Sequence, residues 1–580
     1  AAGLEALRDA QIPLVRTYHE TSTGKKVPTG WALPEALRDE TGVIFASAFP
    51  GYNLMVKKLM GGGLDASGHF DRRFLFQVLA MGHSQFAQLV GARGPNTQVN
   101  SACASTTQAV GLAQDWIRLG RCKRVIVVGA DDVTSPELLE WMGSGFLAAG
   151  AATTQDKVEN AALPFDARRH GMILGMGAVG LVIETQDAAS GRGIVPIAEL
   201  VNSSTANSAF HGTRLNLEHI AQQVATLVAQ GAQSEGITPE EMGRQALFMS
   251  HETYTPARGG SSAAEIAALR AAFGASANQV IITNTKGFTG HAMGAGIEDA
   301  IAIKALQYGR TPPIPNLLQP DPELGDLNLS KGGSHTAKYA LRLAAGFGSQ
   351  LSLGLWRKIA VGDARVANAE VQAAWLSRVT GIAKPELVLE DRTLRAKGEV
   401  IQAAKTAPKD APKAALAPKG VAPQAAAPAG DVLAHLMGVI GEKTGYGPED
   451  LDPDYELEAD LGIDTVKQAE IFSEVRDHYG IGRDDSFSLA DYPTVRSLAG
   501  WLSGQMGGDT AASQTLAAEP VVELVLAEAP AAAAPASGVD EDAVLSHLLK
   551  VIGEKTGYEE EDLDPDYELE ADLGIDTVKQ

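Results

Sequence analysis

A long internal repeat divides this chain, because residues 451–468 return without a single change as residues 563–580. A repeat this close to identity predicts tandem copies of one small domain rather than a single continuous core. Ala/Pro-rich stretches at residues 403–430 and 527–537 precede the two copies, and such sequences favour semi-extended tethers over packed structure. We therefore predict a large N-terminal region followed by small tethered domains.

Composition and charge narrow the possible partners. The chain has 580 residues, 45% of them hydrophobic and 21% charged, which is typical of a globular protein with several domains. Its net charge of −23 argues against nucleic acid or an anionic membrane as a partner. Cys103 and Cys122 are the only cysteines, so we expect no disulfide framework and a cytoplasmic location.

The ends of the sequence suggest a piece of a longer protein. No stretch resembles a signal peptide, and no apolar run is long enough to span a bilayer. The chain starts at Ala1 without Met and stops at Gln580 inside the second copy of the repeat. We expect both ends to be truncated.

Cys103 lies between small side chains in VNSACASTT, residues 99–107. The apolar-periodic run that follows ends at Gly120, which predicts a helix with a glycine C-cap. The strand-like RVIVVGA at 124–130 comes next, so the thiol is placed on a strand–turn–helix–strand unit. The positive N-terminus of the helix favours the nucleophilic thiolate. Cys122, at the entry to the strand, is predicted to be structural.

Short apolar runs between helical patterns predict an α/β layering for the N-terminal region. The predicted strands are 125–130, 178–184, 247–250, 280–283 and 343–345. Residues 1–98 show alternating helical and loop patterns, and residues 359–400 predict a small helix with loops.

Four motifs accompany the thiol within about residues 1–357. They are PFDARRHG at 164–171, SHETYT at 250–255, KGFTGHAMGAG at 286–296 and GFGSQ at 346–350. In this order they resemble the motifs of the β-ketoacyl synthases, the condensing enzymes of fatty acid and polyketide assembly. The resemblance implies a thiolase-type fold of layered α-β-α-β-α architecture, built from two duplicated halves and usually homodimeric. We see no clear copy of the strand and helix with which the family opens.

The resemblance also implies the roles of particular residues. Cys103 would hold the acyl group, and His251 and His291 would be the two catalytic histidines. Lys286 would order the histidine end of the site, and Thr253 and Thr255 would contact the pantetheine arm. Two neutral imidazoles that donate N–H groups would stabilise an enolate oxygen after decarboxylation. The backbone N–H groups of Cys103 and Phe347 would form an oxyanion hole for acyl transfer. Gly346 and Gly348 would permit the backbone turn that directs the Phe347 amide toward it. His170 is predicted to be structural or exposed at the surface.

Three departures from the family pattern surround His251. Glu252 replaces the usual Gly, and its carboxylate would either raise the pKa of His251 or point to solvent. Tyr254 is bulky and is expected to narrow the entrance to the site. An apparent insertion, GGSS at 259–262, separates His251 from Glu265, which would match an acidic residue of the family's active-site network.

The repeated unit resembles an acyl carrier protein, a small four-helix bundle. The tandem copies are similar to the carrier arrays of polyunsaturated fatty acid synthases and related type I multidomain polyketide synthases. LGIDT at 461–465 matches the family's Leu-Gly-x-Asp-Ser loop, with Thr in place of Ser. The resemblance implies covalent 4′-phosphopantetheine on Thr465 and Thr577. Asp464 is predicted as the helix N-cap, which leaves the Thr465 hydroxyl near the positive end of the helix dipole.

Acidic residues surround this loop, and their role stays open between a docking face for basic partners and an ordinary solvated face. They are Glu456, Glu458, Asp460 and Asp464.

The predicted domains run in the order synthase, linker, carrier, linker, truncated carrier. Their boundaries are 1–358, 359–430, 431–508, 509–540 and 541–580. The predicted function is decarboxylative Claisen condensation of an acyl group on Cys103 with a malonyl thioester on a carrier domain, which gives a β-ketoacyl thioester. We expect no metal, and we expect a phosphopantetheinyl transferase, an acyltransferase and reductases to act from elsewhere. A non-catalytic scaffold with carrier-like docking modules that lack the arm stays open because of Glu252, Thr465 and Thr577.

Overall fold

The structure is a computed structural model of the chain. It describes residues 1–20, 26–60, 75–76, 78–255, 260–399, 430–444, 451–457, 461, 463, 465–479 and 492–506. The chain divides into two compact units. The first contains Ala1–Val15 and Trp31–Ala403, and the helices of residues 430–506 belong to the second. The second predicted carrier, residues 541–580, lies outside the described residues.

Fifteen strands are present in the part of the chain that the structure describes. They are β1 (Val15–Glu20), β2 (Lys26–Ala32), β3 (Thr41–Ala46), β4 (Asn96–Val99), β5 (Arg124–Asp132), β6 (Met176–Glu184), β7 (Ala198–Asn207), β8 (Ala246–Met249), β9 (Ile281–Thr283), β10 (Arg310–Pro313), β11 (Lys331–Ser334), β12 (Tyr339–Gly346), β13 (Gln350–Lys358), β14 (Glu386–Glu390) and β15 (Thr393–Lys397).

The helices that the structure describes in the first unit are short to medium in length. They are α1 (Ala2–Asp9), α2 (Glu35–Arg38), α3 (Tyr52–Met60), α4 (Gly82–Val90), α5 (Ser105–Arg118), α6 (Pro136–Ala148), α7 (Val158–Ala161), α8 (Gln186–Ser190), α9 (Leu217–Glu235), α10 (Pro239–Gly243), α11 (Ser261–Phe273), α12 (Lys286–Thr289), α13 (Ile297–Tyr308) and α14 (Ala369–Thr380).

Two sheets of matching topology form the body of the first unit. The first sheet has the order β4-β3-β5-β6, and the second has the order β9-β8-β12-β13-β7. In each sheet three parallel strands are followed by an antiparallel one, β6 in the first and β13 in the second. In the second sheet β7 then pairs antiparallel with β13. The first sheet, among the described residues, has no strand in the equivalent place beside β6.

Helices lie between and outside the two sheets. α5 and α13 each contact strands of both sheets and form the middle layer. α1 and α4 contact the first sheet, and α9 contacts the second sheet and packs against α11. Separate apolar clusters fill the space on the outer side of each sheet and between the sheets. The predicted α-β-α-β-α layering of the thiolase type is therefore confirmed.

The local sequence explains the elements beside Cys103. The β5 sequence RVIVVGADD is buried over its first six residues, as its continuous apolar run predicts. The helix α5 buries its small and apolar residues, and the chain leaves it through Gly120 at φ +67°, a conformation that glycine adopts readily. The five predicted strands of the sheets are confirmed by β5, β6, β8, β9 and β12, although the predictions 247–250 and 280–283 each extend one residue beyond the observed strand.

The prediction for residues 1–98 was incomplete, because strands β1 to β4 lie there. The most consequential omission is β3, a central strand of the first sheet that pairs with both β4 and β5. Its sequence TGVIFA is a short, continuous apolar run. Hydrophobic periodicity alone does not distinguish a buried strand from a buried helix in such a run. Residues 359–400 hold the expected helix, α14, and also an unexpected hairpin, β14–β15.

The second unit contains three helices in its described residues. They are α15 (Gly430–Thr444), α16 (Thr465–His478) and α17 (Val495–Met506). Leu436, Ile440, Val475 and Leu502 are among the side chains of its apolar core, each 1% exposed or less. An ion pair of 2.6 Å between Arg496 and Asp454 joins α17 to the segment before α16. Within the described residues, no helix is both long and apolar enough to cross a membrane.

Candidate active site

The two helices of the middle layer, α5 and α13, are fastened to each other at their N-terminal ends. The Thr106 hydroxyl donates to Gly294 O at 2.5 Å and accepts from Gly296 N at 3.0 Å. The Thr107 hydroxyl donates to Asp299 Oδ2 at 2.9 Å. These contacts bring the glycine-rich stretch after His291 against the start of the helix that follows Cys103.

Cys103 lies in a tight turn immediately before α5. Ala102 has φ +47°, a left-handed conformation that is uncommon for a residue with a Cβ atom. The Ser105 hydroxyl holds the turn, because it accepts from Ser101 N at 2.9 Å and donates to Ala102 O at 2.6 Å. Cys103 is half-buried against an apolar cluster that includes Met293.

The expected resting thiolate of Cys103 is wrong. Burial raises the pKa of the Cys103 thiol to about 12, and the positive charge of Lys286 only partly opposes this shift. Desolvation of the charged form therefore outweighs the favourable position at a helix N-terminus. The resting group is a neutral thiol, which must transfer its proton as it reacts.

His251 follows the end of β8 and is fixed through its backbone. Its N–H donates to Glu265 Oε1 at 2.5 Å, and the Ser250 hydroxyl donates to Glu265 Oε2 at 2.6 Å. Asn284 Nδ2 donates to Ser250 Oγ at 3.2 Å and to Glu252 O at 2.9 Å. Glu265 therefore orders the loop of His251 despite the intervening insertion.

His291 is held by a different segment, the one that follows the PFDARRHG motif. His291 N donates to Ile173 O at 2.7 Å, and His291 O accepts from Gly175 N at 2.9 Å. The imidazole rings of His251 and His291 lie with centroids 5.5 Å apart at an interplanar angle of 82°. Both rings are almost fully buried, and His251 Nδ1 and His291 Nε2 have no hydrogen-bond partner among the described residues.

Lys286 belongs to a buried cluster of four charged side chains. Its ammonium lies 2.5 Å from Glu298 Oε1, and Arg342 lies 3.5 Å from Glu298 and 3.4 Å from Asp299. Lys286 is 1% exposed, so it is not a surface lysine. Although burial opposes the shift, Lys286 and Arg342 lower the pKa of Glu298 to about 2. Glu298 is therefore ionised at neutral pH, whereas burial raises the pKa of the Asp299 carboxyl.

The two histidines are neutral because of burial and this lysine. Burial and then the charge of Lys286 lower the pKa of His291 to about 3. Burial, Lys286 and the other imidazole hold the pKa of His251 well below its usual range. Each ring therefore carries one N–H group and one free lone pair at neutral pH, as the role of enolate stabiliser requires.

Both expectations for Glu252 are wrong, because its side chain neither points to solvent nor raises the pKa of His251. It is fully buried, and the Ser261 hydroxyl donates to its Oε2 at 2.5 Å. Burial raises the pKa of the Glu252 carboxyl. Ser261 also accepts from Thr253 N at 3.1 Å, so the apparent insertion supplies a partner for the unusual glutamate.

Tyr254 does not narrow the entrance, since it is fully buried and packs in the apolar cluster beside Cys103. Its hydroxyl accepts from Ile173 N at 3.3 Å. Thr253 and Thr255 on either side are partly exposed. His170 is exposed, as predicted, and Cys122 is buried in the core between the sheets.

The turn between β12 and β13 carries Phe347 and approaches Cys103. A Cβ atom at Gly346 would lie 2.6 Å from Ser101 O and 3.0 Å from Cys103 N, so only glycine fits there. Gly348 has φ +74°, which glycine adopts without strain. The Phe347 ring lies 5.7 Å from the ring of Phe146. The turn thus places the Phe347 amide one residue from the backbone contact with Cys103.

Three family models match this chain. The N-terminal domain of the beta-ketoacyl synthases matches residues 28–189, and the C-terminal domain matches residues 197–318. The phosphopantetheine attachment site matches residues 434–502, which implies covalent phosphopantetheine in the second unit.

Individual relatives agree with these matches. The chain is 32% identical to a 3-oxoacyl-[acyl-carrier-protein] synthase 2 of Vibrio cholerae over 329 residues. The matched residues cover 56% of this chain and 72% of the relative. The chain belongs to the β-ketoacyl synthase family. A 3-oxoacyl-[acyl-carrier-protein] synthase 2 of Staphylococcus aureus strain COL is 29% identical over 363 residues, covering 62% of this chain and 80% of that protein. The crystal structure of a beta-ketoacyl synthase from Burkholderia phymatum matches 56% of this chain and 77% of its own, with 24% identity and a TM-score of 0.47.

The ketosynthase site contains charged residues that the sequence analysis missed. Glu298 and Arg342 complete the cluster around Lys286. Asp131 accepts from the Ser47 hydroxyl at 2.5 Å and from Gly294 N at 2.7 Å, which fixes the glycine-rich stretch. Arg342 is the only charged residue in the buried strand YALRLAAG, and a charge in such a run signals a buried partner.

The carrier residues belong to the second unit. Thr465 is the first residue of the 14-residue helix α16, so a hydroxyl-bearing residue stands at a helix N-terminus, where a phosphodiester is stabilised. Asp464 and Thr577 lie outside the described residues.

The low pKa of His291 predicts that folding stability falls as the pH falls. The folded ring has a pKa of about 3 against 6.5 for the ordinary group, so below pH 6.5 protons bind the unfolded chain preferentially. Between pH 7.5 and 5.5 this residue should remove about 1.4 kcal/mol from the free energy of unfolding. In chemical denaturation over the same pH interval, the free energy of unfolding of His291→Asn should fall by about 1.4 kcal/mol less than that of the wild type. His170→Asn, on the surface, should match the wild type, and an equal pH dependence in all three proteins would contradict the assignment.

Proposed function

We propose that the ketosynthase domain catalyses decarboxylative Claisen condensation. An acyl group on Cys103 would join with a malonyl thioester on a carrier domain to give a β-ketoacyl thioester. The observation that carries this proposal is that the imidazoles of His251 and His291 lie buried with centroids 5.5 Å apart, and that His251 Nδ1 and His291 Nε2 have no hydrogen-bond partner among the described residues. A scaffold without catalytic function has no need for buried imidazole nitrogens without partners.

Acyl loading starts from the neutral thiol. As Cys103 Sγ attacks the acyl thioester carbonyl, the S–H proton passes to the lone pair of a neighbouring neutral imidazole. The developing oxyanion accepts hydrogen bonds from the backbone N–H groups of Cys103 and Phe347. The carrier thiolate then leaves and takes up the proton, so the imidazole is neutral again.

Condensation then uses both histidines as hydrogen-bond donors. When the malonyl C–C bond breaks and CO₂ leaves, negative charge develops on the thioester oxygen. His251 and His291 each donate one N–H to that oxygen, because neither ring is protonated at rest. The carbanion equivalent attacks the acyl carbon, the bond to Cys103 Sγ breaks, and the departing thiolate takes up a proton from solvent.

Replacement of the nucleophile gives the first test of this mechanism. Cys103→Ala should abolish both self-acylation and condensation, because no other sulfur lies at the helix start. Cys122→Ala is the matched control, since that thiol is buried between the sheets, and it should retain both reactions. Intact-mass measurement after incubation with an acyl thioester reads self-acylation directly. Equal condensation by wild type and Cys103→Ala would refute the assignment.

Replacement of either histidine separates the two half-reactions. His251→Ala or His291→Ala removes one donor to the enolate oxygen, which should slow malonyl decarboxylation by roughly a hundredfold to a thousandfold. Self-acylation of Cys103 should be less affected, because the second imidazole can still accept the thiol proton. Release of CO₂ and the mass of the acyl-enzyme measure the two steps separately. Unchanged decarboxylation in both variants would show that the roles are wrong.

We also propose that Thr465 carries the phosphopantetheine arm, with Thr577 as its equivalent in the second copy. The position of Thr465 at the start of α16 supports this role, because backbone N–H groups and the helix dipole stabilise a phosphodiester there. When bound, the arm supplies the terminal thiol that holds malonyl and acyl groups. The β-branched threonine keeps the hydroxyl but is stiffer and more hindered than serine.

The attachment site can be mapped in the full chain. After co-expression with a broad-specificity phosphopantetheinyl transferase, peptide mass mapping should find the arm on Thr465. Thr465→Ser should be modified faster because its hydroxyl is less hindered, and Thr465→Ala should not be modified at that position. Modification of the Ser variant alone would identify the repeats as docking modules without an arm.

The remaining assignments are also proposals. They include the five domain boundaries, pantetheine contacts through Thr253 and Thr255, and a homodimer formed by the ketosynthase. An acyltransferase and reductases acting from elsewhere would load the carrier and process the β-keto product.

A further inference from the structure

Ser349 is a non-glycine residue in a conformation that favours glycine. It lies in the turn between β12 and β13 with φ +59°, and it is 8% exposed. In the left-handed region the Cβ atom of an ordinary residue is disfavoured. Gly348 stands directly before it, so the turn contains two successive residues of positive φ. A serine at this position needs a compensating contact.

The hydroxyl of Ser349 makes that contact. It accepts from Phe210 N at 3.2 Å and from His211 N at 3.1 Å, and it donates to His211 O at 2.9 Å. One side chain therefore satisfies three backbone groups of the loop that follows β7. Glycine would adopt the same φ more easily but would leave these groups without this partner.

Backbone contacts extend the same connection. Ser349 O accepts from Ser208 N at 3.0 Å, and Gly348 N donates to Gly212 O at 2.7 Å. Asn207 Nδ2 donates to Gly348 O at 2.7 Å. The C-terminal half of the turn is thus bound to residues 207–212.

The other half of the turn is bound to the nucleophile. Gly346 lies against Ser101 and Cys103 so closely that no Cβ atom fits. Phe347 stands between these two anchors, and the residue is 38% exposed. The direction of the Phe347 amide is therefore set by Gly346 on one side and by the contacts of Gly348 and Ser349 on the other.

We propose that Ser349 is a positioning residue for acyl transfer, whose hydroxyl fixes the Phe347 N–H group toward the acyl oxygen on Cys103. This inference rests on the proposed function, since it assumes that Phe347 contributes to the oxyanion hole. Ser349 does not touch the reacting atoms, and it acts through the backbone of the turn.

Two substitutions separate the hydroxyl from the backbone strain. Ser349→Gly removes both the hydroxyl and the strain, whereas Ser349→Ala removes the hydroxyl and keeps the Cβ atom at positive φ. Ser190→Ala is the control, because it removes an exposed hydroxyl at the end of α8. Each full-length protein is measured for Cys103 acylation by an acyl-pantetheine thioester and for Cys103 alkylation by iodoacetamide, both by intact mass.

Acylation needs an oxyanion hole, but alkylation needs only an accessible thiol. We expect acylation to slow by roughly tenfold to a hundredfold in both Ser349 variants, while alkylation stays within about twofold of wild type. Ser349→Gly should also unfold at a higher temperature than Ser349→Ala, because its backbone is unstrained. The control should match wild type in every measurement.

Two results would overturn the inference. If wild type is acylated and Ser349→Gly is acylated at the same rate, the hydroxyl has no positioning role. If acylation and alkylation fall together in Ser349→Gly, the substitution has disturbed the thiol rather than the oxyanion hole. A wild-type protein that is alkylated but not acylated contradicts the proposed function itself, and the positioning role with it.

Discussion

The ion pair between Lys286 and Glu298 is the constraint on which the ketosynthase site depends. Both side chains are buried, and Arg342 and Asp299 extend the pair into a cluster of two cations and two carboxylates. Removing one member of such a cluster leaves an uncompensated buried charge, which typically costs about 3–5 kcal/mol. The cluster also joins Lys286 of α12 and Arg342 of the central strand β12 to the start of α13. The fold and the charge of the site are therefore fixed by the same contacts.

The other reactive groups rest without charge, the two imidazoles because of burial and this cluster, and the Cys103 thiol because of burial. A buried cation beside two imidazoles disfavours their protonation, and burial of the Cys103 thiol disfavours the thiolate. In the proposed mechanism, charge develops only during the reaction, on an acyl or enolate oxygen toward which the proposed N–H donors would already be fixed. A site of this kind spends little free energy on reorganisation when the transition state forms.

Local patterns in the sequence predicted the elements that depend on neighbours in the chain. The buried run of β5 and Gly120, just beyond the end of α5, are examples, and both follow Cys103 in the chain. The motifs of the family resemblance led to the same site, which the structure assembles from separate segments. Arg342 and Glu298 were missed because their pairing joins distant parts of the chain. The neutral state of Cys103 was missed because desolvation depends on packing that no single stretch of sequence describes.

The fastening of α5 to α13 through Thr106 and Thr107 bears on how chimeric synthases can be assembled. The linker between α8 and β7 separates two sheets of like topology and invites use as a crossover point. Each half, however, buries a helix of the shared middle layer, and each contributes part of one site. An exchanged half must therefore bring side chains that fit its new partner across that layer. Recombination at this boundary would therefore favour halves that were already matched across the middle layer.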